Sequence, residues 1–403
     1  MTIGTASRLE ACRSTAADAS SGPINIDLSH RCHRSVYILE KVFSPRLCPA
    51  DEDIPGPDFP QSVAVPPALR HEDYPADLYN PYNSNVDHGI TAYYIRVVSN
   101  WGHISLWLHH IRLAKPESPW LLESKYARLI SRIYECDSHL PAKHLLRNVD
   151  FSKRSPAEVL QAREYWIPWV LMQIQCHAYL SILNHPFIHL VAMRSCSKGL
   201  QSGMFLQHTV DAALFHSGWV FRFLRLCQEH QLELHDPFVG HLVAAVGTIP
   251  WLLQFVEDVQ VSQKAAHDVA WCSMYLSRLS GTWPHISEKL DIFQSLQLIA
   301  QNYRQSSNEK GGGLNIPLGL LWELLDPDMR YSGPQRTQAP HARIQMTTHL
   351  THPLAQSQSR HSTVDAVHDF NSDFEVNADD LEHVYIDDLL SHFMLNMEHG
   401  HVG

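Results

Sequence analysis

The stretch from residue 90 to 112 reads ITAYYIRVVSNWGHISLWLHHIR, and no other segment limits the fold of this chain so tightly. Its large apolar residues Ile90, Tyr94, Val97, Trp101, Ile104, Leu108 and Ile111 recur at alternating steps of four and three. An α-helix gathers residues at that spacing onto one face, whereas a strand scatters them over both. The same stripe would serve a coiled-coil seam, but one run of this length reads as the core helix of an α-domain.

Other segments follow the same grammar. Ser118 and Pro119 read as N-cap and first residue of a helix that stops before Pro141. Ser155, Pro156 and Glu158 spell a capping box. That box opens an apolar run over 156–183, which Pro168 is expected to kink because it offers no N–H to the ladder. Further helices are expected near 204–229, 237–246, 262–280, with Gly281 as terminator, and 286–304. Residues 44–82 carry nine prolines and read as a long loop. Alternating strand patterns bounded by turn pairs are missing, so the fold class is all-α.

The stretch SHRCHRSVYILEKVF, residues 29–43, packs His30, Cys32 and His33 within four residues, with Arg31, Arg34 and Lys41 around them. A metal or nucleic-acid contact is one reading. On a helical wheel, however, Cys32, Val36, Leu39 and Phe43 fall at i, i+4, i+7 and i+11, which makes Cys32 part of a buried stripe. Arg31, Arg34 and Lys41 lie off that stripe and are expected in solvent.

Tests for chemistry come back negative. The eight cysteines never approach within fewer than 16 residues and form no CxxC pair, so neither a zinc nor a disulfide framework is suggested. Among 28 histidines, His185 and His189 have the i, i+4 spacing of a zinc-protease helix, but Pro186 stands where the general-base Glu belongs. GxSxG and GxxxxGK patterns are absent, and the carboxylates Asp379, Asp380 and Glu382 face no second cluster. No catalytic, cofactor or metal residue is assigned, and the chain is read as no enzyme. The first twenty residues lack a secretory pattern, and no apolar run approaches the roughly 20 residues that span a bilayer, so a soluble, cytoplasmic or nuclear protein is expected.

Charge divides the chain. Residues 361–403 hold ten acids and no Lys or Arg, leaving 32 acids against 31 bases upstream. A near-neutral body argues against direct duplex binding, which draws on Lys and Arg at phosphates. In the acidic stretch, Phe370, Phe374, Leu381, Tyr385, Ile386, Leu389, Leu390 and Phe393 are interspersed with carboxylates, the composition of an activation segment. Ile386, Leu389, Leu390 and Phe393 at i, i+3, i+4 and i+7 suit a helix laid in a partner's groove, or one docked on this protein's own core.

Several stretches together carry a family likeness: RCHRSVYILEKVF before the proline-rich run, SPWLLESKYARLI with LPAKH, EYWIPWVLMQIQCHAYLSILNHPFI, HSGWVFRFLRL to HDPFVGHLVAAV, and GTWPH. In this order, over about residues 29–300, the chain resembles the middle homology region of fungal zinc binuclear-cluster (Zn2Cys6) transcription factors. The resemblance implies an all-helical regulatory domain of a nuclear regulator of RNA polymerase II transcription, dedicated to a metabolic or secondary-metabolite gene cluster. Family members also carry six cysteines that hold two zinc ions and a basic region that reads DNA. No such cysteine set is present here, so DNA contact is expected only indirectly or through a missing N-terminal cluster.

The expected organisation is a helical regulatory domain over 1–305, a linker over 306–360 with a short apolar helix near 317–326, and an acidic-hydrophobic segment over 361–403. Expected partners are a transcriptional coactivator or related transcription factor, with a homo- or heterodimer among the arrangements and no membrane. The alternatives are an interaction cofactor that never touches DNA, or an all-α small-molecule-binding protein or enzyme.

Overall fold

The computed structural model describes residues 23–43, 59, 63–66, 87–113, 118–194, 203–255, 259–306, 314–325 and 343–346. The fold is all-α. Helix α1 spans Pro23–Phe43, α2 Ile90–Arg112 and α3 Lys125–Ser138. One-turn α4 (Leu146–Val149) lies between single 3-10 turns at Ala142–His144 and Phe151–Lys153. Then come α5 (Pro156–Gln161), α6 (Arg163–Leu183), α7 (Pro186–Arg194) and α8 (Gly203–Glu229). The series continues with α9 (Pro237–Val246), α10 (Thr248–Leu253), α11 (Val259–Ser280), α12 (Pro284–Ser306) and α13 (Leu318–Leu325).

The centre of the molecule is α6, packed against α8 on one side and α2 on another. Both central helices are apolar nearly all round, the mark of a helix surrounded by others. In α2 the expected stripe is buried along its whole length, but Ala92, Tyr93, Ile95, Val98 and Trp107 on other faces are buried too. Helices α1, α3 and α7 pack on α2, which makes it a core helix. Trp101, Trp107, Trp166, Trp169 and Trp251 are at most 1% exposed, so aromatic surface supplies much of the interior. The second half of the bundle is built on α9, which touches α6, α11, α12 and α13.

Helix ends show which sequence signals operate. The Ser155 hydroxyl accepts the Glu158 N–H at 3.3 Å while the Glu158 carboxylate takes the Ser155 N–H at 2.8 Å, as the capping box requires. The interruption in 156–183, however, lies at Ala162 (φ −104°, ψ 31°), and α6 runs through Pro168. Pro168 sits in the second turn, and the carbonyl it leaves without an N–H belongs to exposed Glu164, where water can answer it. The helix expected from Pro119 begins instead at Lys125. Its cap is Ser124, which accepts the Ala127 N–H at 3.0 Å, after two turns closed by Leu121 N–H on Ser118 and Ser124 N–H on Leu121.

The face of α1 corrects the sequence reading. Cys32 and Leu39 are exposed, whereas His33, Arg34, Tyr37, Lys41 and Val42 are buried. The guanidinium of Arg34 lies over the Phe59 ring at 4.6 Å and that of Arg96 at 5.6 Å, so one ring from the proline-rich stretch is held between two cations. The Lys41 stem runs over Gly102, whose missing side chain leaves room for it. Long cationic side chains can pack their methylenes on the interior and their heads on aromatic faces, and a wheel scored on hydrophobicity misses that.

After α12, residues Leu314–Pro317 (β1) pair antiparallel with Arg343–Met346 (β2), Leu314 opposite Met346 and Pro317 opposite Arg343. This two-stranded ribbon has no counterpart in the sequence expectations and leaves the class all-α. Between its strands α13 docks on α9 and α12 with Leu321, Leu324 and Leu325 at most 1% exposed. Lys289 of α12 donates to the terminal carbonyls of Glu323 and Leu324, a cation placed at the negative end of a helix. No helix among the described residues is long and apolar enough to cross a membrane.

Candidate functional site

The partner-binding residues expected from sequence, Phe370, Phe374, Leu381, Tyr385, Ile386, Leu389, Leu390 and Phe393, lie outside the described residues. What the described residues bring together is a polar cluster in the body that sequence reading did not single out.

Its members come from three places in the chain. Asp87 stands just before α2, where its Oδ1 accepts the Gly89 N–H at 2.8 Å; Gly89 has φ 83°, a conformation that suits glycine alone among the common residues. Lys143 and His144 lie on the 3-10 turn after Pro141, and Tyr165 is on the first turn of α6. Lys143 pairs with Asp87 Oδ2, and His144 Nε2 lies 3.4 Å from Asp87 Oδ1. On the other side of the ring, His144 Nδ1 is 2.9 Å from the Tyr165 hydroxyl, and the His144 carbonyl accepts the Trp169 indole N–H at 2.8 Å.

Electrostatics fix the protons. Burial raises the Tyr165 hydroxyl well above its usual range, helped by Asp87, so the phenol keeps its proton and donates to Nδ1. Burial lowers His144, with Asp87 opposing, so the imidazole is neutral with its proton on Nε2, directed to the carboxylate. The contact is therefore a hydrogen bond between a neutral ring and an anion. Burial alone would raise Asp87, but the Lys143 ammonium, the Gly89 N–H and His144 together hold it below the usual carboxylate range. The result is a chain in which Tyr165 donates to His144 and His144 to Asp87, with Lys143 donating to the same carboxylate from the other side to make one cation–anion pair.

Beside this chain opens a pocket of about 310 Å³. Val65 and Pro66 supply one wall, Ala142 and Lys143 a second, Asn148, Val149 and Arg154 a third, and Trp166 a fourth. Arg154, 4% exposed at its side chain, donates through Nε and Nη2 to the Val149 carbonyl at 3.3 Å, with its guanidinium 5.8 Å from the Trp166 ring. The signal that could have drawn attention here is LPAKH, a loop with adjacent Lys and His before a capped helix; the distant Asp87 and Val65 carry none.

The histidine pairs weighed from sequence fall elsewhere. His185 is no helix-face residue: its Nδ1 accepts the Phe187 N–H at 3.2 Å, capping α7, and its Nε2 meets Thr248 Oγ1 at 2.8 Å. His189 donates from Nε2 to the Leu183 carbonyl at 2.7 Å. Burial takes His185 down to about 3 and His189 to about 4, so both rings are neutral. A pair not foreseen, His177 on α6 and His216 on α8, meets Nδ1 to Nδ1 at 2.9 Å, also lowered by burial, to about 3 and about 4. Among the described residues, no three His, Cys, Asp or Glu side chains converge as a metal-holding group.

Over 209 residues the chain is 24% identical to an uncharacterized transcriptional regulatory protein of Schizosaccharomyces pombe. It is similar to a transcriptional regulator. The matched segment is 50% of this chain and 24% of that protein, so the chain spans about a quarter of its relative's length. No family profile matches the chain, and no solved structure matches it. The similarity supports a regulatory role and sits with the all-α body, to which a buried polar chain and an adjoining pocket belong.

Proposed function

We propose that this protein is a nuclear regulator of RNA polymerase II transcription, of the zinc binuclear-cluster type, serving a metabolic or secondary-metabolite gene cluster. The observation that carries the reading is the similarity to the S. pombe transcriptional regulatory protein, joined to an all-helical body. In this reading the body is the regulatory domain. The acidic segment from 361 to 403 recruits a coactivator or a related transcription factor through Ile386, Leu389, Leu390 and Phe393, with the carboxylates keeping the segment in water. The body acts without catalysis, as a packed platform for contacts with other proteins.

Fusion of residues 361–403 to an unrelated DNA-binding domain tests the recruiting role. Reporter output should rise well above the DNA-binding domain alone, and triple replacement of Leu389, Leu390 and Phe393 by Ala should return it to background. Output at background for the unaltered fusion rejects the activating role.

A further inference from the structure

We propose that the end of the bundle carrying Leu113, Leu121, Leu122 and Met204 is a docking surface for an acidic amphipathic helix of another protein. The proposal deepens the reading of the body as a platform for other proteins and rests on it. The reporter fusion addresses residues 361–403 alone, so either idea can fail without the other.

Ring and side-chain contacts bring these four residues to one end of the molecule. Trp120 meets Phe205 at 6.1 Å, which sets the segment before α3 against the first turn of α8, and Tyr126 on α3 meets the same ring at 5.7 Å. Lys125 donates to His110 Nδ1 at 2.8 Å, which ties the start of α3 to the last turn of α2, where Leu113 is the C-cap. Leu121 and Leu122 adjoin Trp120, and Met204 adjoins Phe205. Leu122 is 92% exposed and Met204 88%, with Leu113 and Leu121 each more than half exposed. Single apolar residues on a surface need no explanation. Four gathered at one end, beside half-buried Trp120 and Phe205, mark a contact surface.

Charge names the partner. Residues 103–113, 118–132 and 203–210 hold one acid, Glu123, against Arg112, Lys125, Arg128 and Arg132. Lys125, Arg128 and Arg132 fall at i, i+3 and i+7, so they form an exposed cationic stripe along α3 from the apolar end until Glu135 ends it. None of these three cations is paired with a carboxylate among the described residues: Lys125 turns to a histidine ring, and Arg128 donates to the Glu123 carbonyl at 2.9 Å. Leucine and methionine bordered by a row of unneutralised cations are complementary to a helix with one apolar and one acidic face. The apolar face of such a helix covers Leu121, Leu122 and Met204, and its carboxylates lie over the stripe.

Fluorescence anisotropy tests the proposal with the full chain and a labelled synthetic helical peptide that carries Leu and Phe on one face and Glu on the other. The peptide should bind saturably with a Kd below about 100 µM, and its counterpart with Lys in place of Glu about tenfold or more weakly. Leu122→Gln with Met204→Gln alters two exposed side chains, and should weaken the Glu peptide about fivefold or more with unchanged melting of the free protein. Lys125→Glu should shrink the preference for the Glu peptide over the Lys peptide, which general destabilisation does not do. The proposal is overturned if the Glu peptide does not saturate, if the two peptides bind alike, or if the folded double variant binds as the parent does. It is equally overturned by another occupant. That outcome is a dimer that the double variant makes monomeric, or phosphatidylserine vesicles that retain the parent and release the double variant. It is also peptide binding tightened about tenfold or more by Leu389, Leu390 and Phe393→Ala in the full chain, since the chain's own acidic segment then fills the surface.

Discussion

Two fully buried histidines, His144 and His241, stand in opposite surroundings. His144 has a partner on each ring nitrogen, the Tyr165 hydroxyl and the Asp87 carboxylate, and follows Lys143, which lines the pocket. His241 on α9 has no partner on either nitrogen and lies among rings, with Trp101 at 5.4 Å edge-on and Phe238 stacked at 6.2 Å. Burial pushes both below the usual imidazole value, opposed at His144 by Asp87 and reinforced at His241 by Lys289 and His285. Equal burial of the same residue thus produces a proton-ordered relay in one place and aromatic filler in the other. Proton positions are therefore set by hydrogen bonds at the first ring and by none at the second.

Acid should break both ends together, and it gives the largest effect. His177, His185, His189 and His216 are held at about 3 to 4 by burial, His144 and His241 are lowered as well, and in the unfolded chain each titrates near its ordinary value. The unfolded state therefore binds more protons between pH 6.5 and about 4. The stability these neutral rings allow is present above pH 6.5 and declines as pH falls through that window, toward a limiting slope of about 1.4 kcal/mol per unit for each of His177, His185, His189 and His216, with His144 and His241 acting in the same direction. Urea midpoints measured from pH 7.5 to 4.5 should drop steeply below 6.5; a flat profile would show that the rings are not buried neutral.

Substitution then separates the two sites. His144→Leu leaves the Tyr165 hydroxyl without its acceptor and removes one of the two donors to Asp87 Oδ1, and should cost about 2–3 kcal/mol in a denaturant titration. His241→Leu removes a buried N–H that has no acceptor, so its expected effect is the smallest, within about 1 kcal/mol and in either direction. Equal losses at the two positions would erase the distinction.

Much of this fold was legible because its signals are local. The stripe on α2, the box at Ser155 and Glu158, and the extents of α8 and α9 depend on neighbours three or four residues apart. The errors came where a side chain's chemistry is divided along its length. Arg34 and Lys41 were placed in water on the strength of their charges, yet each buries its stem against aromatic rings or a glycine. At Ser118 the cap signal was outcompeted by an equally good serine at 124, which also donates to the Pro119 carbonyl. The polar cluster and pocket were illegible for a different reason: residues 65, 87, 143, 154 and 166 meet only after the bundle has closed, and nothing in their spacing announces the meeting.

The latch on α13 has a practical corollary. Lys289 is 8% exposed, and the carbonyls that receive its ammonium lie beyond residue 320, past the glycines at 311–313 where a boundary would naturally be drawn. An expression fragment ended before those glycines keeps the lysine, discards these two acceptors, and leaves the flank of Phe187, against which Trp322 rests at 5.2 Å, open to water. The shortest self-sufficient version of this body therefore extends at least through Leu325.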